Sequence, residues 1–385
     1  FLGGGDRSDF FPGCGCDQYC VRKRYESEKV DVMAVSVDIE KNFKGFHLRV
    51  QVKSQVPTMG ILGASGSGKS MTLRCIAGIE TPDAGHIEVN GRVLFDSDKK
   101  INLKPQERRI GYLFQNYALF PAMTVEQNLV CGYRGSQKAA LEKTAEFIKR
   151  YQLVGLEKLY PAQLSGGQQQ RAALARMMMG EPEMILLDEL FSAQDGYLKD
   201  LVQRDMQNFL KSYKGDMMLV THNRDEAFKF CEQLTLLKNG KTLNSGDTRK
   251  IFENPGSVEA ARLTGCKNFS RAERLDAHHV LAVDWGLKLQ TEEAVGDEIS
   301  AVAVRGHWLR PASQPGENTM EVEPVEYIEN TFEHQFVIKN RAKKEAGNLW
   351  WMCQKNSFME QAELPEYLFF PCLLYTSPSP RDRQK

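Results

Sequence analysis

This sequence is short of three things. It has no excess of one charge: 50 Lys and Arg balance 50 Asp and Glu. No global field therefore draws it to nucleic acid or to an anionic surface. It has no long apolar run, since no uninterrupted stretch approaches the roughly 18 residues that would cross a bilayer. It has little cysteine, nine residues in 385, of which only Cys14, Cys16 and Cys20 stand close together. Scattered thiols in a chain of this size exclude a disulfide framework and read as reduced cysteines. The "CGCDQYC" group lacks a nearby paired set of ligands, so a metal centre is not read from it.

What is present is ordinary globular composition, 42% hydrophobic and 26% charged residues, with room for two or three domains. Residues 1–32 carry no helical or strand period and read as a non-native or disordered extension. From Met33, "MAVSVDIEKNFKGFHLRVQV" alternates apolar and polar residues as paired strands do. Residues 371–385 turn abruptly to Ser, Pro and Arg and read as an adapter-derived tail. Fold reasoning is therefore confined to the part between.

The apolar strand "TMGIL" runs into "GASGSGKS" (63–70) and then into the helix-like "MTLRCIAGIE". This is the G-x4-G-K-S pattern in its required setting of strand, loop and helix. Gly63, Gly66 and Gly68, with Ser65 between them, let successive N–H groups turn inward, and the helix N-terminus adds positive potential up to Met71. Lys69 is expected on the β- and γ-phosphates of a nucleotide and Ser70 on Mg2+. A second apolar strand, "MILLDE" (184–189), ends in adjacent carboxylates at Asp188 and Glu189. That pairing suits one acid for a metal and one for an attacking water.

A phosphate loop alone leaves many nucleotide-hydrolysing classes open. "LSGGQQQRAALARMM", from Leu164, narrows the choice: Leu164, Ser165, Gly166, Gly167 and Gln168 resemble the signature of ABC-type ATPases and stand in that family's order, between phosphate loop and acidic strand. The resemblance covers about 33–268 and implies an α/β P-loop ABC ATPase domain with a helical subdomain at about 111–179. It implies ATP and Mg2+ as ligands. It also implies a head-to-tail dimer in which the signature of one copy, a second anion cradle, closes on the ATP held by the other.

Carried over residue by residue, the resemblance implies that Ser70, Gln115 and Asp188 serve the metal, Glu189 is the general base and His222 contacts the γ-phosphate. Asp195 ends the loop that crosses the dimer interface. Phe43 is placed to stack on adenine, with Phe46 as a competitor and core packing as the plain alternative for either. Two positions depart from the family, which usually has Pro where Leu190 stands and Leu where Gln194 stands. The acids are intact, so the expectation is retained but weakened hydrolysis.

One phosphate loop, one signature and about 100 further residues match the layout of importer ATPase subunits. Residues 269–370 read as short strands separated by Gly, Pro and Asn turns, a small β-barrel-like regulatory domain. The implied partners are integral membrane permease subunits and, indirectly, an extracytoplasmic solute-binding protein. The implied location is the cytoplasmic face of the cell membrane, and no nucleic acid is expected. Tyr117, Leu119, Phe120 and Met123, after Gln115, read either as a docking groove for the permease or as local core. Among importers the chain looks most like the molybdate and sulfate class, with polyamine and sugar importers as the alternative cargo classes. A binding module with impaired hydrolysis and a non-transport ABC ATPase are the rival functions.

Overall fold

The computed structural model describes residues 35–191, 196–356, 363–371 and 375–378. Cys14, Cys16, Cys20, Gln194 and Asp195 lie outside the described residues. The first strands bear out the alternation. In β1 (Val35–Phe43) and β2 (Phe46–Ser54), Val35, Val37, Ile39, Leu48, Val50 and Val52 are buried while Asp38, Arg49, Gln51 and Lys53 are exposed. One face packs and the other meets water, as an antiparallel layer allows.

With β4 (Ala84–Val89), β5 (Arg92–Asp96) and β6 (Ile101–Asn102), these strands form the antiparallel wing of an 11-stranded sheet. The other wing is parallel, in the order β3 (Thr58–Leu62), β9 (Asp216–Thr221), β8 (Met184–Asp188), β7 (Ile110–Leu113). β10 (Gln233–Lys238) flanks β3 on its other side and leads through β11 (Lys241–Asp247) to β2. Every residue of β8 and β9 is buried, the mark of central strands covered on both faces.

Helices supply those covers. On one face Met184 and Leu186 pack with Leu73 and Ile76 of α1 (Lys69–Ala77). On the other, Ile185 and Leu187 pack with α2 (Val125–Gly132), α3 (Gln137–Arg150) and α4 (Gly166–Met179) and with Met206 of α5 (Gly196–Ser212). The segment expected to be helical from about 111 opens on the sheet, since residues 110–113 form β7. Helix begins at Val125, where Thr124 and Gln127 cap each other.

After α6 (Arg224–Phe230), α7 (Thr248–Glu253) and α8 (Val258–Leu263), the chain turns to β-structure. Among the described residues it forms two five-stranded antiparallel sheets. The first runs in the order β14 (Leu287–Gln290), β13 (His279–Ala282), β12 (Asn268–Arg274), β15 (Ile299–Val304), β21 (Tyr375–Pro378). The second runs in the order β16 (Arg310–Ala312), β20 (Tyr367–Phe369), β17 (Thr319–Glu329), β18 (Glu333–Asn340), β19 (Leu349–Gln354). They share one core, in which Val280 and Val302 of the first, with Trp285 from the turn between β13 and β14, meet Phe336, Ile338 and Trp351 of the second. β21 pairs with β15, so part of the segment set aside as a tail takes part in the fold. Arg305 ties this domain to the preceding helices, donating to the carbonyls of Thr264 and Phe252, each at 2.6 Å.

Asp216 breaks the apolar pattern of the core. It is fully buried at the start of β9, and neither carboxylate oxygen has a hydrogen-bond partner among the described residues. Burial pushes its pKa up to about 6. The folded protein therefore holds a proton that the unfolded chain gives up near pH 4, and stability falls as pH rises from about 4 through 6. Asp216→Asn is expected to raise the unfolding free energy at pH 8 by on the order of 2 kcal/mol and to gain almost nothing at pH 4. Urea melts at the two pH values check this; an equal gain at both would contradict it.

Candidate functional site

The candidate residues gather where neighbouring parallel strands end. The phosphate loop follows β3, Asp188 closes β8, His222 follows β9 and Gln115 sits in the turn after β7. The carboxyl ends of adjacent parallel strands are where open α/β sheets bind ligands. Within the loop, Gly68 has φ +102°, and a Cβ there would lie 2.5 Å from Leu48 Cδ1 and 3.1 Å from the Phe46 ring. Only glycine fits both that conformation and that approach.

Lys69 is 4% exposed and its Nζ donates to the Ala64 carbonyl at 3.0 Å. The same Nζ is 3.5 Å from Glu189 Oε1. Ser65 and Gly66 are exposed at the tip of the loop, and Met71 is half-buried behind it. Phe43 and Phe46 face each other across the β1–β2 turn with ring centroids 6.4 Å apart. Phe46 is the one against Gly68, while the Lys41 ammonium lies 5.8 Å from the Phe43 ring centre.

Ser70 Oγ donates to Asp188 Oδ1 at 2.7 Å. The other carboxylate oxygen accepts from Tyr112 OH at 2.8 Å. Tyr112 is a partner that sequence reading missed. It stands on β7, in register with Leu186 of β8, and only that long-range pairing brings its hydroxyl to the acid. Burial first, and then the Asp188 charge beside it, raise the Tyr112 phenol well above its ordinary value, so it stays a donor.

Glu189 takes a left-handed backbone conformation, φ +46°, and its N–H donates to the Val220 carbonyl at 3.0 Å. A non-glycine residue held there stores strain of the kind found at active sites. Its Oε1 lies 3.4 Å from His222 Nδ1. The segment carrying His222 is fastened behind it. Thr221 Oγ1 donates to Glu226 at 2.5 Å, Lys199 pairs with Glu226 at 2.6 Å, and Asn223 caps α6.

An ATP–Mg2+ pair fits these residues. Adjacent hydroxyl and carboxylate oxygens at Ser70 and Asp188 are the hard ligands that Mg2+ takes while keeping several waters. The glycine loop with its buried ammonium suits phosphates. Bound there, Mg2+ would neutralise phosphate charge.

The signature lies elsewhere. Ser165 Oγ accepts from the Gln168 N–H at 3.4 Å and Gln168 Oε1 accepts from the Ser165 N–H at 2.8 Å, closing a capping box at the start of α4. Among the described residues a Cβ at Gly166 or Gly167 would meet nothing within 4 Å, and neither has a positive φ. The isolated chain has no need of glycine at either place, although each costs helix propensity. α4 and α1 pack into different core clusters on opposite faces of the sheet, so the two cradles are separate sites within one copy.

Leu190 is 2% exposed and packed beside Phe191, whose ring stacks on Phe230 at 5.2 Å. Burial, rather than a proline ring, fixes the chain after the acids. Tyr117 is 8% exposed and part of the core, and so drops out of the expected docking groove. Leu119 is partly buried against the same core, Met123 is half-buried and Phe120 stays exposed.

A family profile described as "ABC transporter" matches residues 47–192. A probable sulfate/thiosulfate import ATP-binding protein of Chlorella vulgaris is 36% identical over 236 residues, 60% of this chain and 98% of that protein. The chain belongs to the ABC transporter family of ATP-binding ATPases. Other ABC relatives resemble it to a similar degree. An Fe(3+) ions import ATP-binding protein of Haemophilus influenzae is 38% identical, over 53% of this chain and 59% of its own length. A molybdenum import ATP-binding protein of Paramagnetospirillum magneticum is 35% identical, over 58% and 61%. The alignments thus span about three fifths of those two relatives. Among the described residues of the ABC chain, no helix is long and apolar enough to cross a membrane.

Proposed function

We propose that this chain is the ATP-hydrolysing subunit of an ABC importer, paired head to tail with a second copy and coupled to separate membrane permease subunits at the cytoplasmic face of the membrane. An extracytoplasmic solute-binding protein delivers cargo to such a system. The observation that carries the reading is the convergence of Lys69, Ser70, Asp188, Glu189 and His222 at three adjacent strand ends. Catalysis there is positioning and charge stabilisation. Lys69 and the loop N–H groups hold phosphate oxygens, Ser70, Asp188 and Gln115 serve Mg2+, and Glu189 takes a proton from the attacking water. His222 lies on the γ-phosphate side, and Phe43 stacks on adenine. Ser165, Gly166, Gly167 and Gln168, with Asp195, complete the site of the opposite copy.

The cargo is a small solute, best read as an oxyanion such as molybdate or sulfate. Polyamine or sugar import is the alternative, and the iron relative keeps a cation in the field. The exposed Phe120 with Leu119 and Met123 forms part of the permease contact. An ATP-binding module with impaired hydrolysis is the second reading, motivated by Leu190 and Gln194; the buried packing of Leu190 favours the first.

Sedimentation velocity of Glu189→Gln with Mg2+ and either ATP or ADP tests the pairing. ATP is expected to double the mass and ADP to leave it at that of one chain; a mass indifferent to ATP would sink the proposal.

A further inference from the structure

Behind Gln115 the chain makes a turn that its own residues do not favour. Tyr117 and Ala118 are consecutive non-glycine residues with φ +59° and +45°. Left-handed backbone at such residues persists only where the surroundings hold it. Two backbone bonds close the turn locally, from the Tyr117 N–H to the Phe114 carbonyl at 2.9 Å and from the Ala118 N–H to the Asn116 carbonyl at 2.7 Å; the tie between the turn's own carbonyls and the helical layer is on the signature helix. Arg176 Nη1 donates to the Ala118 carbonyl at 2.7 Å and Nη2 to the Tyr117 carbonyl at 3.1 Å. The guanidinium fork thus reaches both carbonyls of the strained pair, with charge-assisted bonds in a planar geometry that lysine lacks.

Asn128 of α2, fully buried, extends the clamp. Its Oδ1 accepts from Phe120 N–H at 2.8 Å and from Arg176 Nη1 at 3.5 Å. Its Nδ2 donates to the carbonyls of Phe120, Met123 and Thr124. Arg176 Cζ also lies 5.2 Å from the ring centre of the exposed Phe120. α2 and α4 touch at this same point, where a Cβ on Gly132 would lie 2.2 Å from the Arg176 carbonyl. Arg176 stands in the last turn of α4, where a basic side chain ordinarily serves its own helix end. Here the guanidinium donates to the turn behind Gln115.

We propose that Arg176 is a positioning residue of the ATP site: it locks the strained turn behind Gln115 to the signature helix, so that Gln115, Phe120 and the signature move as one body. This rests on the ATPase reading for its consequence but not for its geometry. A shift of the signature against a partner is carried along α4 to Gln115 and to the exposed Phe120 without a flexible joint between them.

The test uses the full chain with Arg176→Met, which keeps the aliphatic stem, and Arg176→Lys, which keeps the charge without the fork. Hydrogen exchange by mass spectrometry is expected to show residues 116–123 exchanging about tenfold faster or more in both variants, with α1 unchanged. Unchanged exchange at 116–123, or an equal rise in α1, would overturn the proposal. In turnover, Arg176→Met is expected to lower kcat about tenfold at unchanged ATP affinity, and to cost almost nothing further in a Gln115→Ala background. Losses that multiply in the double variant would mean that Arg176 does not act through Gln115. Should wild type and Glu189→Gln turn over alike, the ATPase reading fails while the exchange result still decides whether Arg176 holds the turn.

Discussion

Glu189→Gln is expected to lower the turnover number by about 100-fold or more while ATP still binds, since a positioned general base contributes roughly 10^2 to 10^4. The substitution is nearly isosteric, so the backbone at φ +46° and the Val220 bond are undisturbed. What is lost is a carboxylate standing 3.5 Å from the Lys69 ammonium and 3.4 Å from His222 Nδ1, able to take a proton and ringed by groups that hold its place. Asp188 cannot replace it, because both of its oxygens are engaged, by Ser70 and by Tyr112. Phosphate release at saturating Mg2+ and ATP, with nucleotide affinity measured separately, checks both halves. Turnover equal to wild type would remove Glu189 from the chemistry.

The second large effect is one of stability. Leu190→Ala is expected to cost about 2–5 kcal/mol, the range for deleting a buried leucine from a packed core. Family resemblance would place a proline here and predict a looser loop in its absence. The structure instead buries Leu190 at 2% exposure, in the cluster that includes Ile185, Leu187 and Phe230. Where the family has a ring that fixes φ, this chain has a side chain that fills a hole next to Glu189. Urea unfolding gives the cost. A loss below 1 kcal/mol would mean that the loop is held by something else.

Much of this was legible in the sequence, for a physical reason. The phosphate loop, the signature and the acidic strand are local: spacing along the chain sets their chemistry, and flanking apolar runs set strand or helix. The alternation in β1 and β2 and the uniform burial of β8 follow from one covered face or two. What stayed hidden depends on chain crossings. Tyr112 meets Asp188 only because β7 pairs in parallel with β8. Arg176 reads as one basic residue on a helix until folding lays the carbonyls of Tyr117 and Ala118 before it. Tyr117 and Phe120 read alike in the sequence, as docking groove or local core; after the left-handed turn at Tyr117 and Ala118 the first lies in the core and the second outside. β21 was lost to its unusual composition, since a strand that completes a sheet edge needs a partner more than a period.

The central claim is that each site is built from two copies, with the phosphate loop of one facing the signature of the other. Complementation tests it most directly. Lys69→Ala disables the loop. Gly167→Asp adds a carboxylate where the single chain has open space, so it harms only what approaches from outside. Each variant alone is expected to be inactive. In an equal mixture half the pairs are mixed, and each mixed pair holds one site with an intact loop and an intact signature, so about a quarter of wild-type turnover should return. A mixture as inactive as its components would contradict the shared site and return the whole ATP chemistry to a single chain.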